Sequence, residues 1–287
     1  MPLTGSLTSL LVRGLLAGLI AGLLAATVGY FVGEPKVDAA IAIEEAHSAG
    51  EHAHSADSEP SGVHSHGDAG VHSHGDAGVH SHGDAGVHSH GDDEAPLVSR
   101  TGQKAGQFLA LGLAGLALGA IYASVAHVAR RYTTLPGPNL ALALGAGGWL
   151  AIVAVPFFKY PANPPAVGDP ETINERTLLW VAAVLLGIVA VAVAVSVFKV
   201  LRGQLFTVRL IGGVVGLVSV TTLGYILLPG VNEVSAEFPA TLLWQFRVSS
   251  LAETATLWAA LALGFAALTE FATRTAAPVR DSVATTG

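Results

Sequence analysis

Six stretches of this chain each run for nearly the width of a bilayer with almost no charge, and that property restricts the fold more than any other. They are Leu10–Val32, Gly106–Val128, Leu140–Phe158, Leu178–Phe198, Leu210–Leu228 and Thr254–Ala272. About 20 mostly apolar residues cross ~30 Å of hydrocarbon in helical form. Lipid offers no hydrogen-bond partners, so a spanning segment is either a helix or part of a closed barrel. The stretches are continuously apolar and do not alternate with period two, which removes the barrel. The sequence therefore predicts an all-α, polytopic bundle of about six transmembrane helices, one integral membrane domain over residues 1–287. Only 12% of the residues are charged, against roughly 25% in an average soluble domain.

The first stretch also has to be weighed against a cleaved leader. Gly14 to Val32 is 19 uncharged residues, longer than an h-region of about 7–15, so a retained span is expected. Glycines recur every four residues at Gly14, Gly18 and Gly22, and again at Gly212 and Gly216. Such spacing lets membrane helices approach closely; packing within one subunit is expected, with a seam between copies of a homo-oligomer as the alternative.

Charge divides the loops into two sets. Arg13, Arg130, Arg131, Lys199, Arg202, Arg209, Arg274 and Arg280 flank one set of helix ends, which the positive-inside rule makes cytoplasmic, together with both termini. Of 21 acidic residues, 18 fall in the other three loops. An anionic face raises the local concentration of cations.

The first of those loops, residues 46–100, carries a repeat. From Gly62 the octet GVHSHGDA recurs, four copies in all, the last ending in Asp. Its pairs are His64 and His66, His72 and His74, His80 and His82, His88 and His90. His47, His52 and His54 stand closer to the first helix. A Gly- and Ser-rich period of this length buries no core, so a disordered loop is expected. In an extended chain residues i and i+2 share a face, so both imidazoles of a pair reach one ion, and a nearby Asp completes the shell. Neutral imidazole suits cobalt, nickel, copper and zinc. With an ordinary pKa near 6.5, these ligands release metal as acid protonates them. A passive spacer and a pH sensor are the competing readings. There is no cysteine, so thiolate sites are excluded.

Three polar segments mark the acidic ends of the helices: GEPKVDAAIAIEE from Gly33, FFKYPANPPAVGDPETINERT from Phe157, and LPGVNEVSAEFPATLLWQFR from Leu228. Pro35 suits the first turn of a helix. The five prolines from Pro156 to Pro170 predict a stiff extended chain. One reading is solvated loops with an aromatic belt of Tyr160, Phe238 and Trp244. The sharper one is that Glu34, Asp38, Glu45, Asp169, Glu171, Asn232 and Glu233 converge as oxygen ligands at a pore mouth. Within the spans, Glu253 is expected at the interface, paired with Arg247, the alternative being that it faces a pathway. His127 beside Arg130 and Arg131 is expected to be interfacial rather than a ligand.

The same three segments, with the histidine-rich stretch after the first, resemble the CbtA family of predicted cobalt transporters. The likeness extends from the helix at Arg13–Gly33 to Glu270. It implies a cobalt transporter subunit, accompanied by a small one-helix CbtB-like protein, and it places Lys159, Pro161, Asn163, Asp169, Glu171, Asn232, Glu233 and Arg247 at motif positions. Asn163 thereby joins the expected transport pathway. The family's loop is not expected to hold so regular a repeat. Co2+, or Ni2+ or Zn2+, would be the cargo or the loop-bound ion, with no tightly bound cofactor. No phosphate-binding G-x-x-x-x-G-K-[ST], zinc-protease H-E-x-x-H or hydrolase G-x-S-x-G occurs, so no enzyme is expected. Nothing points to nucleic acid. The expectation is uptake of a divalent metal through the plasma membrane, the alternatives being a nickel or zinc transporter, or a membrane-anchored metal buffer or sensor.

Overall fold

The computed structural model describes residues 3–56, 99–165, 167–168 and 172–276, with side chains described up to Ala46 and Arg274 in the first and last of these ranges. Among them are six helices long and apolar enough to cross a membrane, and no strand. Helix α1 is Leu7–Val28, α2 Glu34–Ala56, α3 Arg100–Ala129, α4 Gly137–Trp149, α5 Val155–Lys159, α6 Ile173–Val200, α7 Phe206–Leu227 and α8 Ala240–Ala276.

Two of the spans are composite. A π-helical turn at Gly29–Gly33 joins α1 to α2, and another at Leu150–Ala154 joins α4 to α5. Each turn is followed almost at once by a proline, Pro35 or Pro156. A helical proline lacks its N–H and its ring collides with the carbonyl four residues back. Widening the preceding turn relieves that collision without ending the helix. Pro35 thus lies in the first turn of α2, as expected, but no break precedes it. Pro156 is helical, contrary to the stiff extended chain expected from it.

Serines cap two of the helices. Ser6 Oγ accepts from the Ser9 N–H at 3.2 Å, and Ser99 Oγ accepts from the Gly102 N–H at 3.2 Å; each satisfies an otherwise orphaned donor.

The core sits among α1, α3, α4 and α8, around Leu10, Ala17, Ala21, Tyr122, Leu261 and Phe265. Small residues set its spacing. At Gly14, Gly18 and Gly22 a methyl group would overlap the carbonyl oxygens of Gly119, Gly115 and Leu111 on α3. The glycine series in the first span therefore joins two helices of one chain. Tyr122 and Phe265 stack edge to face, with centroids 5.4 Å apart, and the Tyr122 hydroxyl donates to the Ala141 carbonyl.

Helices α6 and α7 form a peripheral hairpin. Gly187 of α6 lies against the backbone of Ala151 in the second π turn. Gly213 is the buried residue of α7, and Ile211, Val214, Val215, Val218 and Leu223 are exposed.

The last span differs from expectation. Helix α8 begins at Ala240, not Thr254, so the expected loop around Trp244 and Arg247 is largely helical. Gln245, Arg247 and Glu253 lower its hydropathy without breaking it, and Arg247 is received by the loop after α5. Helix α2 likewise runs to Ala56, past residue 46, where the loop was expected to begin.

Candidate functional site

Four chain segments meet over the acidic end of the bundle and enclose a cavity of about 680 Å³. The loop after α5 supplies Asn163, α6 supplies Arg176, the loop after α7 supplies Asn232 and Glu233, and α8 supplies Arg247. Deeper walls are Ser250, Thr254 and Trp258 on α8, Trp180 on α6, Leu118 on α3, and Ile152 and Val153 in the second π turn. The charged groups and the amides lie at the rim, and apart from Ser250 and Thr254 the deeper walls are apolar.

Hydrogen bonds from side chains to backbone position the rim. Lys159 Nζ donates to the Tyr225 carbonyl at 2.9 Å, the Tyr160 hydroxyl to the Pro229 carbonyl at 2.8 Å, and the Tyr225 hydroxyl to the Val155 carbonyl at 2.5 Å. These three tie the end of α7 to the end of α5. Arg247 reaches from α8 to the same loop, donating from Nη2 to Asn163 Oδ1 at 2.9 Å and from Nε to the Ala162 carbonyl at 3.3 Å.

Glu233 is held from α6. Arg176 Nη1 lies 3.1 Å from its Oε2, and the Thr172 hydroxyl donates to its Oε1 at 2.5 Å. Its side chain is 14% exposed, so removing Arg176 would leave a poorly solvated carboxylate with its counter-charge gone. Gly168 adjoins it with φ at +114°, a conformation open to glycine at no steric cost. A methyl group there would press on the Arg176 guanidinium. Among the described residues, the rim thus sets two guanidinium groups beside one carboxylate.

Glu34 and Asp38 belong to a different cluster. They face α3 on the first turns of α2. Arg100 Nη2 lies 2.8 Å from Glu34 and 2.6 Å from Asp38, and Lys104 Nζ lies 3.7 and 3.1 Å from the same two carboxylates. Two acids and two bases balance there. Glu45 is exposed farther along α2. Of the expected pathway residues, the structure brings Asn163, Asn232 and Glu233 together and sets Glu34, Asp38 and Glu45 apart. Asp169 and Glu171 lie outside the described residues.

The histidines fall as follows. His64, His66, His72, His74, His80, His82, His88 and His90 lie outside the described residues. The backbone at His47, His52 and His54 is helical, so positions 52 and 54 lie on different sides of the axis, unlike in the extended chain assumed from sequence. Among the residues whose side chains are described, no group of three His, Asp or Glu side chains is placed to hold a metal ion. The His127 ring nitrogens lie 2.9 Å from Arg130 and 3.4 Å from Arg131. The expected Glu253–Arg247 pair does not form: Arg247 turns to Asn163, and Glu253 lines a separate cavity on another face of α8.

Sequence reasoning passed over Arg176, Arg100, Lys104 and Gln107. Arg176 sits inside a quoted motif. Arg100 and Lys104 had no local signal, because their partners are more than sixty residues away.

No curated protein and no solved structure matches the chain. A family model does, described as "Probable cobalt transporter subunit (CbtA)", over residues 7–270. That match takes in all six spans and both loops that build the rim, and the chain belongs to the CbtA family of probable cobalt transporter subunits.

Proposed function

We propose that this chain carries cobalt inward through the plasma membrane, with the cavity between α6 and α8 as the outer vestibule. The observation that carries the reading is the cavity itself: in a chain of this family, a volume of about 680 Å³ runs from a polar rim toward the bundle interior between spanning helices. Both termini are cytoplasmic in this reading, and the acidic end faces out.

The loop histidines gather the ion outside, and Asp169, Glu171, Asn232, Asn163 and Glu233 receive it at the rim. Imidazole and carboxylate together suit a borderline dipositive ion. An arriving ion competes with Arg176 for Glu233, so the pair acts as a latch that opens when the metal supplies the positive charge. Moving a 2+ ion inward gains about 4.6 kcal/mol per 100 mV of membrane potential, twice the value for one charge. The chain works as a subunit in this scheme, and a one-helix CbtB-like partner or a second copy would complete it. It performs no enzymatic step.

Cells expressing the protein should accumulate radiolabelled cobalt, and Glu233→Ala should lower the rate at least tenfold. Nickel and zinc in tenfold excess should compete less well than unlabelled cobalt. Binding without accumulation, lost only on deletion of residues 62–93, would establish a buffer instead. With ordinary histidine pKa values near 6.5, capture by the repeat should be full above that pH and fall away below it, as protons displace the metal.

A further inference from the structure

A second cavity, of about 200 Å³, lies against the first π turn. Gly29, Gly33 and Glu34 line it from the α1–α2 junction, Gln107 from α3, and Ser249 and Glu253 from α8. Glu253 has no hydrogen-bond or ion-pair partner among the described residues. The side-chain oxygen of Gln107 is buried and also unpaired. Both side chains close on the same point: a methyl group at Gly29 would lie 2.7 Å from Glu253 Oε2 and against Gln107 Nε2. The glycine in the widened turn is what lets a carboxylate and an amide meet there.

The surrounding charges leave Glu253 alone. Glu34 is neutralised with Asp38 by Arg100 and Lys104. Arg247, on the same helix as Glu253, is engaged by Asn163, and Lys36 does not line the cavity. One carboxylate inside a spanning helix therefore lacks a counter-charge, and such a group takes up a neutralising partner. One cation of single charge balances it, whereas a 2+ ion would leave a positive charge behind. The carboxylate oxygens of Glu253 are hard donors and no imidazole lines the cavity, which disfavours cobalt here.

We propose that the Glu253–Gln107 cavity binds one singly charged hard cation, a proton or sodium, separately from the metal vestibule. Ser250 lines both cavities, so the two lie side by side along α8. The cation's role as a coupling ion rests on the transport reading above; its binding does not.

The test uses the purified full chain in lipid nanodiscs, in sodium-free choline buffer at neutral pH. If sodium is the ligand, sodium chloride raises the melting temperature saturably, choline chloride does not, and Glu253→Gln abolishes the rise. If the ligand is a proton, infrared spectra show a protonated carboxyl band at neutral pH that Glu253→Gln removes. Gln107→Leu keeps the carboxylate and removes the amide that adjoins it. It should raise the half-saturating sodium concentration about tenfold, the size of one lost contact, or shift the midpoint of the carboxyl band. Should Glu253→Gln fail to fold, Gln107→Leu decides alone. Wild-type protein with neither signal overturns the proposal, and so does a Glu253-dependent response to cobalt chloride alone. Cobalt accumulation by wild-type vesicles is measured in parallel; its absence beside an intact sodium or proton signal would fail the transport reading and leave this site standing.

Discussion

Two helix seams in this molecule carry the same sequence spacing and differ in what it does. Gly14, Gly18 and Gly22 of α1 bring two backbones into contact with Gly119, Gly115 and Leu111 of α3. Gly216 of α7 faces the side chains of Val193 and Val197, where a methyl group would sit at ordinary distances of 3.4 and 3.5 Å, with the Ala194 Cα of α6 at 4.0 Å. Small residues four apart permit close approach but do not compel it. The partner helix decides, and α3 answers with glycines of its own at Gly115 and Gly119, while α6 answers α7 with valines. The tight side contains the core and the Glu253 cavity. The looser hairpin contributes one wall of the vestibule, and α7 presents an apolar surface suited to lipid.

Substitutions can sharpen or break this contrast. The largest effect should come from Gly18→Val, which drives a branched side chain into the Gly115 carbonyl and should cost about 3 kcal/mol, read as a fall in denaturant midpoint in micelles. If Gly18→Val is tolerated, the α1–α3 seam is not close-packed. Next is Arg247→Ala, which cuts the tie from α8 to Asn163 and Ala162; about 2 kcal/mol is expected for charge-assisted hydrogen bonds, with faster proteolysis in the loop after α5. Tyr225→Phe removes one hydroxyl bond between α7 and Val155 and should cost about 1 kcal/mol, by thermal melting. Gly216→Ala should stay within about 0.5 kcal/mol of wild type, with its thermal midpoint little moved. A Gly216→Ala loss as large as that of Gly18→Val would erase the distinction between the seams.

The acidic end teaches a related lesson. Seven Asp, Glu and Asn residues read in sequence as one pore mouth. In the structure Asn232 and Glu233 reach the vestibule, while Glu34 and Asp38 are balanced by Arg100 and Lys104. Residue type announced polar work at that end, and partner identity divided it, because the pairs form between residues far apart in the chain. Pro156 misled for a local reason: a proline signals a stop in soluble sequences, but a π turn absorbs it where a spanning helix must keep its backbone bonded. The chemistry of Glu253 was hidden for the same reason as that of Arg100. Nothing beside it in sequence shows that Arg247 looks the other way.

The sequence alone determined the class of fold, the number of spans and the segregation of acid and histidine to one set of loops. Each follows from local composition weighed against the thickness and dielectric of a bilayer, so no partner need be known. Tertiary structure decided which glycines are seams, which carboxylates are spent in ion pairs, and where cavities open beside α8. Those depend on side chains from distant helices occupying the same few ångströms, and the order of residues along one chain does not encode that directly.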